Sequence, residues 1–203
     1  MDREIRTIQT EFRFETKDGK NKISGYAAVF NSLSEDLGGF REKIRPGAFA
    51  EAIESDDVRA LWNHDPNYVL GRNRAGTLKL EEDSNGLHYE IDVPDAQWAK
   101  DLAESIRRGD VSQSSFGFWV DTDEWKKEGG EVIRELVKVK LFDVSPVTFP
   151  AYPATSVSAR SILDANKDRI PGDGAKPGPT TTARLSIQKM KLELFEKTIE
   201  GGN

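Results

Sequence analysis

The amino-acid sequence predicts a β-rich α+β domain, and three observations carry that expectation. Short segments of alternating apolar and polar residues recur up to Leu163, separated by turns containing Gly, Asn and Pro. The clearest helical stripe is confined to a single stretch, Asp95–Arg108. From Asp164 onward the alternation gives way to Gly, Pro and Thr, which marks the end of the folded part.

Taken in order, Glu4–Glu15 reads as a strand with Phe12 and Phe14 on one face, ending at the turn Lys17-Asp18-Gly19-Lys20. Lys22–Phe30 is its hairpin partner. A loop with Gly38-Gly39 at its tip leads to a short helix over Arg45–Ile53, where Pro46 suits a first helical turn and Phe49, Ala52 and Ile53 share a face. Val58–His64 alternates as a short strand, with Val58, Ala60, Trp62 and His64 in one row, and Pro66 ends it. Thr77–Glu82 and Gly86–Val93 form a hairpin through Asn85-Gly86, a strong turn signal. Leu87, Tyr89 and Ile91 are its apolar face, so His88 points the other way. In the helix Asp95–Arg108, Asp95 can cap the start, Arg107 and Arg108 suit the negative end, and Gly109 suits the stop. Trp98, Ala99, Leu102, Ala103 and Ile106 make its apolar stripe. Val111–Val120 is a strand, and Gly129-Gly130 turns the chain back into another, Glu131–Val144. There Val137, Val139 and Leu141 form an inner row that Asp143 continues. Ser145–Pro153 is extended and Ser156–Leu163 a last short element. The expected organisation is a domain over residues 1–163, a flexible linker over 164–182 and a tail over 183–203. The tail carries a helix over Ala183–Glu200 with two apolar stripes, which reads either as a docking element or as a marginal tail helix.

Composition removes several classes of function. Acidic residues number 35 against 29 basic ones, a net charge of −6 with no strongly basic region, so no nucleic-acid partner is expected. Cysteine is absent, which excludes disulfides, thiol nucleophiles and Cys-based metal sites. His64 and His88 are the only two histidines, too few for a zinc site built on several, and no metal or cofactor is expected. Met1-Asp2-Arg3-Glu4 lacks an apolar signal region, and no run approaches membrane-spanning length; the expectation is a soluble, non-secreted chain with no membrane partner.

The chemistry centres on Ser112-Gln113-Ser114-Ser115-Phe116-Gly117-Phe118. Strand alternation puts Phe116, Phe118 and Val120 on a core face and Ser115 and Gly117 on the other. Ser114 shares the apolar side, so Ser115 is the better candidate for presentation to a ligand. Gly117 leaves room for another backbone to approach. A plain reading is an edge strand whose small polar residues face water. His64, at a strand end, is either a working side chain or a structural histidine bonded to backbone. Asp143 extends an apolar row, which is costly unless it is paired or at the rim. Together these residues offer what a serine nucleophile needs: an imidazole to take its proton and an acid to fix the imidazole tautomer. No Gly-x-Ser-x-Gly elbow occurs, which argues against an α/β-hydrolase. From the residues alone, a β-rich binding domain remains the other reading.

In Gly25–Phe30, Arg45–Phe49, Leu61–Asp65, Gly109–Phe118 and Phe142–Ala151 the sequence resembles the prohead maturation serine proteases of tailed phages. These stretches span roughly residues 20–160 in matching order and spacing. The resemblance implies a closed or partly closed antiparallel β-barrel with peripheral helices, as in the distantly similar herpesvirus capsid proteases. It implies a serine endopeptidase acting in the host cytoplasm, inside the assembling prohead. Its substrates would be scaffold or the scaffold-like segment of the major capsid protein, and then the enzyme itself, with the 164–182 linker a candidate cleavage region. The family's motifs fall on His64 as general base, Ser115 as nucleophile and Asp143 as the acid. Herpesvirus proteases use a second histidine in place of the acid, for which His88 is the candidate here. Ser114 is the candidate if the strand register is off by one. The alternative is a non-catalytic scaffold or capsid-assembly protein that keeps the barrel.

Overall fold

The computed structural model describes residues 3–17, 20–149 and 156–171. In chain order the strands are β1 (Glu4–Gln9), β2 (Arg13–Lys17), β3 (Lys20–Val29), β4 (Arg41–Ile44), β5 (Arg59–Trp62), β6 (Asp65–Arg72), β7 (Leu78–Glu82), β8 (Gly86–Asp92), β9 (Gln113–Glu128) and β10 (Glu131–Val147). The helices are α1 (Ala50–Ser55), α2 (Gln97–Arg107) and α3 (Ser156–Ala165).

The frame is the long antiparallel ladder of β9 and β10, joined at Gly129 and Gly130, whose positive φ angles of 59° and 89° suit glycine. β1 pairs antiparallel with the free edge of β9. β10 is long enough that two short strands share its other edge. β4 runs parallel to Ile133–Leu136, and β5 runs parallel to Asp143 and Val144. β6 completes this six-stranded sheet, and β2, β3, β8 and β7 form a second, four-stranded one. Between the sheets and α2 lies a core containing Ile23, Tyr89, Ile91, Leu102, Phe116, Phe118, Leu141 and Val144.

Several expectations change at this level. Among the described residues the strand pairings form two sheets and do not close a barrel, and the pairings of β10 with β4 and β5 are parallel. The expected strand Glu4–Glu15 divides into β1 and β2, which belong to different sheets. The chain crosses between them near Phe12, whose ring lies where a Cβ on Gly25 would crowd it. The helix expected from Arg45 begins at Ala50, because Gly47 is in a left-handed turn with φ 89° that holds Pro46 outside. Asp95 does not cap α2; its carboxylate pairs with Lys100 at 2.5 Å, and Ala96 occupies the cap position. Pro66 lies within β6, directly after its first residue, rather than ending the preceding strand.

Packed structure runs past Leu163. Arg169 is buried and its guanidinium meets the Asp123 carboxylate at 2.5 Å. Residues 172–203, which hold most of the expected linker and the whole tail helix, lie outside the described residues.

The polar half of the β9–β10 ladder is held by charge. Glu135 is buried and receives bonds from Lys43 at 2.8 Å, Arg45 at 2.7 Å and Lys126 at 2.7 Å. Burial pushes its carboxyl up, but the bonds from Lys126, Lys43 and Arg45 outweigh burial and bring it to about 2, below the ordinary 4.5. A carboxyl whose folded value is depressed stabilises the fold fully above its unfolded value and loses that contribution as pH falls through its folded value. Denaturant unfolding followed from pH 6 to pH 2 should therefore show stability falling below about pH 4.5. Glu135→Gln should be less stable at neutral pH and lose less across that window.

Candidate active site

His64 sits in a two-residue hairpin between β5 and β6, where Trp62 pairs with Asp65. Asn63 and His64 have φ angles of 55° and 58°. Two successive positive φ values give the turn type whose twist matches a β-hairpin. Asn and His are both among the non-glycine residues enriched in that otherwise uncommon conformation. The turn is pinned to the end of β10. Asn63 N–H donates to the Pro146 carbonyl at 3.1 Å, and Thr148 N–H donates to Asn63 Oδ1 at 2.8 Å. His64 thus belongs to this turn and does not close the row of Val58 and Trp62.

Ser115 lies on β9 between two partners, opposite Thr7 of β1 and Ser145 of β10. Alternation is regular over Gln113–Phe118, so Ser115 and Gly117 face away from Phe116 and Phe118, as the sequence implies. Asp143 reaches the same face by a different route. Leu141 pairs with Phe118, and Asp143 pairs with Gly117, so Phe142 is an extra residue in β10. This β-bulge shifts the side-chain phase by one residue and re-aims the side chains beyond it. Asp143 therefore leaves the row of Val139 and Leu141, against expectation, and joins the face of Ser115.

The three side chains meet. Ser115 Oγ and His64 Nε2 are 2.7 Å apart, and His64 Nδ1 and Asp143 Oδ2 are 2.5 Å apart. Asp143 has no exposed surface, and a buried carboxylate needs several partners. Besides His64 it accepts a bond from Ser145 Oγ at 2.7 Å and an ion pair from the Arg3 guanidinium, which also lies over the Phe142 ring. A carboxylate only accepts, so His64 Nδ1 carries the proton between them, which leaves Nε2 free to accept from a hydroxyl. The His64 side chain is 13% exposed.

The other sequence candidates lie elsewhere. Ser114 faces the core, where its hydroxyl is 3.0 Å from that of Tyr89. His88 is in the four-stranded sheet with its ring edge-on to Tyr26. No group of three or more His, Cys, Asp or Glu side chains among the described residues is arranged to hold a metal. Arg3, Thr7 and Ser145 were not singled out from sequence. Ser145 had a signal, since it comes two residues after Asp143 on one strand face; Arg3 and Thr7 arrive through a strand pairing over a hundred positions away in sequence.

Gly117 leaves space for a carboxylate, not for a backbone: a Cβ here would collide with Asp143 Oδ1 and the Arg3 guanidinium. Gly117→Ala should lower stability by about 1–3 kcal/mol. A crystal structure of the variant should show Arg3 or Asp143 displaced, and an unmoved pair with unchanged stability would contradict this account of the glycine.

Comparison with curated proteins finds no match. Among solved structures, the capsid assembly protease gp21 of bacteriophage T4 is similar at 14% identity with a TM-score of 0.47, over 71% of this chain and 96% of that one. The model of the caudovirus prohead serine proteases matches residues 8–168, a span that contains β2 to β10 and α1 to α3. The chain belongs to the caudovirus prohead serine protease family.

Proposed function

We propose that this protein is a serine endopeptidase of prohead maturation, with Ser115 as nucleophile, His64 as general base and Asp143 orienting His64. The observation that carries the reading is the continuous bond chain from Ser115 Oγ through both nitrogens of His64 to Asp143. In the reaction, Ser115 Oγ bonds to the carbonyl carbon of a peptide while its proton passes to His64 Nε2. The carbon–nitrogen bond then breaks, and His64 returns the proton to the leaving amine. Water repeats the cycle on the acyl-enzyme and frees the serine. Asp143 keeps the Nδ1 proton in place and stabilises the imidazolium.

Family membership supports capsid-assembly substrates: scaffold protein, or the scaffold-like segment of the major capsid protein, inside the prohead in the host cytoplasm. Self-cleavage in the Gly- and Pro-rich stretch 164–182 fits its composition, which has little to bury. One observation favours the other reading, a non-catalytic assembly protein: Ser115 has no exposed surface. β1, paired along the free edge of β9, contributes to that burial.

Incubation with capsid and scaffold protein separates the two, since only a protease yields discrete fragments. Ser115→Ala should abolish cleavage and keep the fold, and His64→Ala should lose nearly all activity. Asp143→Asn should cost on the order of 10⁴-fold in kcat, because the imidazole loses its tautomer control. Ser114→Ala and His88→Ala should remain close to the parent. Discrete fragments from Ser115→Ala at the parent rate would remove Ser115 from the mechanism.

A further inference from the structure

Three atoms crowd the Ser115 hydroxyl. His64 Nε2 is at 2.7 Å, the Arg6 carbonyl oxygen of β1 at 2.8 Å and Thr7 Oγ1 at 3.2 Å. A serine hydroxyl has one proton to give. In this arrangement the Arg6 carbonyl competes with His64 for it, and Thr7 covers what is left. The nucleophile is capped by a main-chain segment of its own protein. β1 is the edge strand of its sheet, antiparallel to β9, with Thr7 opposite Ser115.

We propose that the strip of β9 now filled by β1, Gln113–Phe118, is the substrate-binding site. β1 occupies it as a substrate mimic, and an extended segment with a basic residue in the register of Arg6 replaces it. This rests on the reading of Ser115 as nucleophile. Distance argues against a substrate lying on the outer edge of β1. Strands are about 4.8 Å apart, so such a peptide would be nearly 10 Å from β9, whereas attack needs contact near 3 Å. With β1 gone, the edge of β9 is a row of unpaired backbone groups, a ready template for an added strand. A groove of about 600 Å³ flanks β1, lined by Ile5, Arg6, Thr7, Leu33, Glu42 and Ile44, so a segment bulkier than β1 has room.

The chemical class is set by the partner of Arg6. Its Nε and Nη2 meet the two carboxylate oxygens of Glu42 at 2.8 and 3.0 Å, a bidentate fit that selects a guanidinium. Glu42 is buried and also paired with Arg134 at 3.1 Å. Release of β1 takes one acid, Glu4, and one base, Arg6, out of the Glu42 cluster together; it also withdraws Arg3 from Asp143, which keeps His64 and Ser145 as donors. The remaining cluster, Glu42 and Asp123 with Arg134 and Arg169, stays balanced.

A cross-strand lock tests the exchange. Gln9 faces Gln113, and Thr10 N–H donates to the Ser112 carbonyl, which makes Gln9 and Gln113 a closely spaced, non-hydrogen-bonded pair suited to a disulfide. The chain has no other cysteine to interfere. Labelling of Ser115 by a fluorophosphonate probe, read by mass spectrometry, is compared in the parent, Arg6→Ala, and Gln9→Cys/Gln113→Cys oxidised and reduced. Labelling should be at least tenfold slower in the oxidised form than in the reduced form, and faster in Arg6→Ala than in the parent. Equal rates in the oxidised and reduced forms overturn the proposal. If no form is labelled, Arg6→Ala included, Ser115 is not an activated nucleophile and the proposal falls with it. In Arg6→Ala, a capped peptide of residues 3–10 should slow labelling, and the same peptide with alanine for its Arg6 should not. Equal competition by the two peptides removes Glu42 from substrate recognition.

Discussion

A carboxylate with no access to water is the constraint around which this site is arranged. Withdrawing a charge from solvent costs several kcal/mol, recovered only when partners surround it with good geometry. Each unusual feature near Asp143 supplies one part of that solvation. The bulge at Phe142 aims the side chain, and Gly117 clears the volume it enters. Ser145 and His64 donate to one oxygen, while Arg3 sits on the other. The orientation of His64 is a consequence of this network, since the imidazole is one of the donors the carboxylate requires.

The β9–β10 ladder converts that local arrangement into a fixed geometry. Ser115 and Gly117 are on one strand and Ser145 and Asp143 on the next, paired in register, so two members of the site share a single rigid ladder. His64 comes from the end of a third strand, β5, whose parallel pairing to Asp143 and Val144 sets where its hairpin turn ends. The turn is held to β10 again through Asn63, at Pro146 and Thr148. Both anchors of His64 thus lie on the stretch of chain that carries its carboxylate partner. The two cannot drift apart without breaking the sheet, which is the pre-organisation that the proposed general-base role of His64 requires.

Legibility from sequence divided along the same lines. Ser115 was assignable to the correct face because β9 alternates without interruption from Gln113 to Phe118, and period-two reasoning holds wherever a strand is regular. Asp143 was placed on the wrong face, although the structure brings it beside His64. Leu141-Phe142-Asp143 reads as continued alternation, and the bulged strand itself carries no glycine to announce the break. His64 was placed at the end of a strand row, since Asn63-His64 lacks the Asn-Gly signature of a tight hairpin. β6, the split between β1 and β2, and the parallel edge of β10 depend on pairings distant in sequence, which alternation does not encode. The barrel expected from the resemblance is not confirmed: among the described residues the pairings form two sheets.

β1 is attached by forces that a competing strand can replace. Ile5 and Ile8 are only half-buried, so little apolar area is at stake in this strand. It is held by backbone pairing to β9 and by the ion pairs of Glu4 and Arg6. Net backbone hydrogen bonds are worth roughly 0.5–1.5 kcal/mol each, because water competes for the same groups. An incoming extended peptide regains those bonds on the same edge, so exchange between β1 and such a peptide nearly cancels in the main chain. The balance then rests on side-chain fit and effective concentration, where a tethered strand starts with the advantage of being intramolecular. A substrate overcomes that advantage either by fitting the groove beside Glu42 better than β1 does or by being present at very high local concentration. Under the proposed function, an assembling capsid would supply the second condition.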